Sequence, residues 1–508
     1  MGREVCAVLL TPSTDLTIAR RYWGQCVATA KRATEVNVPL SVTHPPGHRD
    51  ERNYILQTVL TEFLGLNWVA REGTDPETRI ALGQGPGGPE LVLPDVLFRT
   101  PDDHWLTLAS LPKRPLCPWQ ALRELPEATL LRPSVPVLYG EPSPDGAWFA
   151  QEGGSIHLGL DIFGSAFFML SGYEESVRTE RDEHSRFPAS ASLAFHEGFL
   201  GRPLVDEYVE LLWACLRRLW PRLSRRSPSY SVFLTHDVDH PLGCTVPWGV
   251  TLRNAVGDVV RRRDPWLAVR GLGIRLQGSR GRHEVDPYNT FDFIMDANEK
   301  HGLRGAFYFM AVQGGQGAGR AAYSLNTPWI RRLMFRVHER GHEIGLHPTY
   351  GTYADAARVG NESRFLKEVA GQLGIRQPTW GGRQHYLQWQ PITWQWYEDA
   401  GLDYDATVGF ADHAGFRCGT CREFPAFSLR TRQPLRLRER PLLVMDVTLL
   451  SRQHMALEPK SALAQIEHVS AACRRVGGTL SLLWHNSSLI LPWQKRLYLE
   501  ALEVVTAP

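Results

Sequence analysis

Nowhere in this 508-residue sequence is there an apolar run near the ~20 residues that a membrane-spanning helix needs. The N-terminus, MGREVCAVLLTPSTD, offers only Val5 to Leu10 as an apolar stretch, too short for a secretory signal and followed by turn formers. Cysteine is sparse: eight residues, of which only Cys418 and Cys421 are closely spaced, and that excludes a disulfide framework. No tract is of low complexity. A formal net charge of +2 points to neither nucleic acid nor a strongly acidic partner. What remains is a globular composition, 43% hydrophobic and 22% charged, long enough for more than one domain and cytoplasmic by default.

The sequence changes character at PRLSRRSPS, after an amphipathic helix over Leu204 to Leu219. The expected division is therefore a mixed α/β domain over 1–225 and a second domain over 229–508. In the first, EVCAVLL reads as a strand, ERNYILQTVLTEFLGL as a helix ended by Gly65, ELVLPDVLF as short strand, and IFGSAFFMLSGYEE as another helix. It shows no tight cluster of metal ligands, which fits a scaffold or a substrate-presenting role. From Ser231 the pattern alternates. SVFLTHDVD, GAFYFMAV, HEIGLHP and TLSLLWHN read as strands. DPYNTFDFIMDANEKHG and NTPWIRRLMFRVHERG read as helices, the latter capped by Asn326 or Thr327 and stopped by Gly341. Repeated β-α units with polar strand ends indicate a parallel, barrel-like architecture whose carboxyl ends carry the chemistry.

Along the first of these strands, alternation puts Asp237 and Asp239 on one face and His236 on the other. Adjacent carboxylates at a sheet's mouth repel unless a proton or cation lies between them. A metal site or an acid–base pair satisfies that; helix-capping carboxylates at a strand-to-turn junction are the plainer alternative. In GHEIGLHPTY, His342 and His347 point to opposite faces, and His347, at the strand's end, is the better ligand. Gly382-Arg383-Gln384-His385-Tyr386 is a glycine-introduced loop. His485 closes an apolar strand at the rim of a core, where imidazole titrates near neutrality and can exchange protons.

In this order the segments THDVD, GHEIGLH, GGRQHY and LLWH resemble the polysaccharide deacetylases (carbohydrate esterase family 4), over about residues 231–490. GAFYFM stands where that family has a TFFV-like strand, and the first half resembles that of a subgroup with an extra N-terminal domain. The resemblance implies a distorted (β/α) barrel at the C-terminus, preceded by a mixed α/β domain. It implies hydrolysis of N-acetyl groups on a glycan or polysaccharide around one divalent metal, zinc being expected. By position, Asp237 would be the base, Asp239 and His347 metal ligands, and Arg383 the group orienting Asp237. The Tyr386 backbone N–H would hold the oxyanion, and His485 would be the acid. Trp484 and Tyr350 are candidate substrate contacts. The chemistry is coherent: a metal polarises a poor amide electrophile and lowers the pKa of water from 15.7 toward ~7. The departing amine needs a separate acid.

One position departs from the family pattern. Its second histidine, four residues after the first, falls here on Gly351. His385 is the candidate third ligand, with substrate contact as its alternative; His236 and His240 are weaker contenders. The site is rearranged or has lost its metal, and retention of base, arginine and acid favours rearrangement. A non-catalytic glycan-binding protein and a hydrolase of another amide or ester stand as alternatives. Cys418-Gly-Thr-Cys421 reads as a tight turn with buried thiols, or as half of a small zinc site with His413. Asp405 and Asp412 are candidates to orient His485. The stretch Arg261–Arg282 holds seven arginines and one acid. It reads as a solvated insertion, or as a contact for an anionic polymer or membrane surface; nothing else supports a nucleic-acid partner.

Overall fold

Short apolar segments punctuated by glycine and proline build a six-stranded sheet and a two-stranded one in the first half of the chain and a nine-stranded sheet in the second. The computed structural model describes residues 38–83, 87–243, 248–260, 269, 272–273, 283–312 and 323–507. The EVCAVLL strand and nearly all of the Arg261–Arg282 stretch lie outside these residues.

The first half contains β1 (Leu40–His44), β2 (Trp68–Glu72), β3 (Glu77–Leu82), β4 (Glu90–Pro94), β5 (Cys117–Trp119), β6 (Val135–Val137), β7 (Phe149–Glu152) and β8 (Ser155–Leu158). Six of these form a mixed sheet in the order β2-β1-β3-β4-β8-β7, and β5 pairs with β6. The helix Leu204–Leu219 lies on β4 and β8. The helix Arg49–Leu56 continues to Phe63 with wider π-type winding and ends at Gly65. The second expected helix is two, Ile162–Leu170 and Tyr173–Val177. They break at Gly172, where φ is 69° and a Cβ would lie 2.8 Å from the Trp389 ring.

The second half contributes β9 (Ser231–Val238), β10 (Gly305–Phe309), β11 (Glu343–Leu346), β12 (Gly381–Gly382), β13 (Tyr404–Asp405), β14 (Phe424–Ser428), β15 (Gln433–Glu439), β16 (Val444–Met445) and β17 (Thr479–Leu483). Their order is β14-β15-β13-β12-β11-β10-β9-β17-β16. All neighbours are parallel except β14, which runs antiparallel to β15. Thr327 precedes the helix Pro328–Glu339 at its cap position, and Gly341, φ 80°, follows its end.

The sheet curls strongly. The Arg440 guanidinium stands over both Phe233 of β9 and Tyr404 of β13, at 4.9 and 3.8 Å from the ring centroids. Tyrosines fill the concave side so closely that Cβ atoms at Gly345 and Gly381 would come within 2.3 and 1.9 Å of Tyr308 and Tyr404. Only glycine fits there. Of the expected barrel, the described residues show a curled half-barrel sheet whose outermost strands do not pair with each other.

Between the helix Leu204–Leu219 and β9, where the division of 1–225 from 229–508 is expected, there is no regular element. The halves are nonetheless tied by buried polar contacts. Arg417 clamps Glu175 with both oxygens engaged, at 2.7 and 2.6 Å, and Tyr54 donates to the Pro425 carbonyl at 2.8 Å. No helix among the described residues is long and apolar enough to cross a membrane.

Candidate metal centre and hydrolytic site

The carboxyl ends of β9, β11, β12 and β17 bring four sequence-distant segments together. Strand alternation sends Asp237 into the concave side, while His236 turns outward. There His236 donates from Nδ1 to the Trp484 carbonyl at 2.8 Å and meets Asn298 Nδ2 through Nε2 at 3.1 Å. Those bonds remove His236 from the ligand candidates. His342 likewise faces away, accepting from the Gly305 N–H at 3.0 Å.

Asp237 is buried and accepts from Arg383 Nη1 at 3.1 Å. Arg383, fully buried, also bonds Thr235 Oγ1 at 2.7 Å and the Ala406 carbonyl at 2.8 Å, so its fork is fixed by three strands of the curled sheet. Beyond Asp237 lies Asp239, whose Oδ1 is 2.9 Å from His347 Nε2 and 3.6 Å from His385 Nε2. Asp239, His347 and His385 form a group whose ligand atoms all lie within 4.8 Å of one another.

Whether a cation fits is decided by hydrogen-bond accounting. His347 donates from Nδ1 to the Arg383 carbonyl at 2.6 Å, so Nε2 is the ring's free nitrogen: a lone pair when a cation is bound, and an N–H when Asp237 and Asp239, which raise its pKa against burial, keep the ring protonated. That nitrogen faces Asp239 Oδ1, and both atoms are buried without a hydrogen-bond partner. Two acceptors so placed need a proton or a cation between them. Tetrahedral ligands at ~2.05 Å from zinc lie about 3.3 Å apart, a spacing that the separations at Asp239 bracket. Burial pushes the His385 pKa down, to about 4, keeping the ring in its neutral, ligating form. Burial raises the Asp239 carboxyl; positive charge at His385, His347 or His485 outweighs it and, where present, holds the group well below the usual carboxylate range. The donor set fits a divalent ion. The fixed Nδ1 of His347 is the orientation that metal-binding imidazoles use.

His485 Nε2 lies 4.0 Å from Asp237 Oδ2 and 3.6 Å from Asp239 Oδ2. Its Nδ1 donates to Asp446 Oδ1 at 2.7 Å, and its backbone N–H donates to the other oxygen of Asp446 at 3.1 Å. Burial disfavours charge on the ring, but Asp446, then Asp239 and Asp237, overcome this and raise its pKa to about 10. Asp446 was not among the expected partners. Asp405 instead bonds Thr407, and Asp412 accepts from the Ala189 N–H, so neither orients His485. The signal for Asp446 was the run LLVMD, which repeats the pattern of an apolar strand ended by an acid.

Tyr386 and Leu387 hold left-handed backbone, at φ 61° and 56°, and the Tyr386 side chain is 46% exposed. Tyr350 stands edge-on to Tyr386 with ring centroids 5.4 Å apart. Trp484 is fully buried against Tyr498, so its ring has no face to offer a substrate. Cys418 and Cys421 are buried free thiols whose pKa values burial pushes up, and His413 sits beside Asp412 at 3.3 Å.

The arrangement belongs to a mixed α/β protein with a carboxylate–imidazole cluster at the mouth of a curled parallel sheet. A family model described as "Family of unknown function (DUF7033)" matches residues 40–221. No curated protein matches the sequence at a significant level. Among solved structures, the chain is similar to a protein of Mycobacterium smegmatis provisionally described as a polysaccharide deacetylase. That match has 15% identity and a TM-score of 0.37, and covers 56% of this chain and 85% of that one. It is also similar to the polysaccharide deacetylase Bc1974 of Bacillus cereus, at 12% identity and a TM-score of 0.25, covering 55% of this chain and 86% of that one. Similarity of this degree leaves the assignment of chemistry to the residues.

Proposed function

We propose that this protein is a metal-dependent hydrolase that removes N-acetyl groups from a glycan or polysaccharide. The observation that carries the reading is the convergence, at one point, of an arginine-held carboxylate, an Asp-His-His group spaced to ligate a cation and a carboxylate-backed imidazole. The glycan substrate is supported by the resemblance of THDVD, GHEIGLH, GGRQHY and LLWH, in that order, to the deacetylase motifs.

Asp239, His347 and His385 would hold the cation, for which their nitrogen and carboxylate donors favour zinc. When bound, such an ion polarises the acyl carbonyl and acidifies water. Arg383 holds Asp237 aimed inward, and Asp237 takes the proton of the attacking water. The backbone N–H of Tyr386, presented by its left-handed turn, is assigned to the acyl oxygen. His485 carries a proton on Nε2 while Asp446 holds Nδ1, and it gives that proton to the leaving nitrogen as the C–N bond breaks. Acetate and a free amine result.

The test is direct. Zinc-loaded protein is incubated with N-acetylated oligosaccharides, and acetate and new primary amine are quantified together. A panel including O-acetyl esters and cyclic imides separates the N-acetyl reading from other carbonyl substrates. Absence of amine release across the N-acetylated glycans would sink it.

A further inference from the structure

A turn of the N-terminal half reaches the mouth of this cluster. We propose that the Asp182–Phe187 turn forms one wall of the substrate cleft, and that His184, with Tyr386 and Tyr350, is a platform for a sugar ring neighbouring the one that reacts. The proposal rests on the deacetylase reading above and deepens it, because it gives residues 40–221 a part in holding the glycan.

The argument begins with continuity. The ring of Tyr386 is 4.6 Å from His385, a candidate ligand, and also 4.6 Å from His184. An aromatic surface thus starts at the metal cluster and runs outward, ending on a residue from the other half of the chain. Tyr386 is largely open to solvent and the His184 side chain is 28% exposed, so the surface is accessible. His184 Nδ1 also meets the Tyr350 hydroxyl at 3.3 Å. A pyranose presents C–H faces to aromatic rings and hydroxyls to polar edges, and a platform of two tyrosines and an imidazole answers both.

The turn is also held rigidly. Asp182 accepts from the N–H groups of His184 and Arg186, each at 2.9 Å, and from Arg186 Nε at 2.7 Å. Arg186 then donates to the Tyr386 carbonyl at 3.2 Å. Gln388, buried, donates to the His184 carbonyl at 2.7 Å and accepts from the Gly351 N–H at 2.8 Å. One amide therefore fixes the turn, the loop after His347 and the loop after Arg383 in a single geometry. Binding a ring there costs little ordering, which is what a built subsite requires.

The experiment uses the full-length, zinc-loaded protein with N-acetylchitohexaose as the probe. His184→Ala should raise KM for the hexasaccharide about tenfold, with a much smaller change in kcat. His184→Phe, which keeps the ring, should recover most of the loss. Calorimetry of hexasaccharide binding in an Asp237→Asn background should show the same weakening and rescue. Binding through His184 without acetate release would refute the deacetylase reading and leave the wall standing. Unchanged binding in His184→Ala, a fall in zinc content matching any loss, or no hexasaccharide binding by the unsubstituted protein would overturn the wall itself.

Discussion

Arg440, reaching the amino ends of the curled sheet's strands, is paired. Its Nε donates to Glu423 at 2.6 Å and its guanidinium lies against the Tyr404 ring, while the Tyr404 hydroxyl donates to Glu343. At the opposite ends of the strands, Asp239 Oδ1 and His347 Nε2 stand 2.9 Å apart with no hydrogen bond to either. Both regions are polar, but the Arg440–Glu423 pair is 26% and 34% exposed while the His347 ring is 1% exposed, so unmet polar groups are tolerable only in the first. Closed pairs hold a fold together, whereas acceptors that face each other wait for something positive.

The sharpest way to break this comparison is Asp237→Asn, which leaves a neutral amide beside Arg383. Turnover should fall about a thousandfold with zinc still bound, as read by amine release and metal analysis. A closed pair should behave in the opposite way. Arg417→Ala strands the buried Glu175 carboxylate and should cost ~3–5 kcal/mol of stability in a denaturant titration. Zinc bound per folded molecule should not change. Within the open cluster, His385→Ala should weaken zinc at least about tenfold in chelator competition, since two protein ligands replace three. An unaltered affinity would return His385 to the role of substrate contact. Near neutral pH the smallest effect belongs to His236, a closed histidine next to Asp237 on the same strand. Burial lowers its pKa from 6.5 to about 3, so its contribution to stability is complete above pH 6.5 and lost as the pH falls toward 3. Urea midpoints should decline across that window, and His236→Gln should flatten the decline.

Much of this site was legible because strand alternation is a strict rule. It placed Asp237 opposite His236, and His347 opposite His342, before any coordinates. The helices of the first half were legible from their spacing, apart from the break at Gly172, which answers to Trp389 packing from far along the chain. The carboxylate behind His485 was not found, because β16 is only two residues long and periodicity cannot reveal so short a strand. Nor could the sequence place His184 beside Tyr386. Loops meet through tertiary packing, and no local pattern records that. Trp484, named as a candidate substrate contact, lies just past the end of β17 with its side chain fully buried, a placement that residue type alone does not reveal.

Gly351 occupies the position where the deacetylase pattern has a second histidine. Its φ of 83° would charge any L side chain ~1–2 kcal/mol, and a Cβ there would stand 3.6 Å from the Arg358 guanidinium. Writing histidine back at this position would therefore strain the loop and aim an imidazole toward a cation. The turn at Gly351 is thus shaped by its backbone as much as by residue identity, and a side chain placed there meets both the strain and the Arg358 charge.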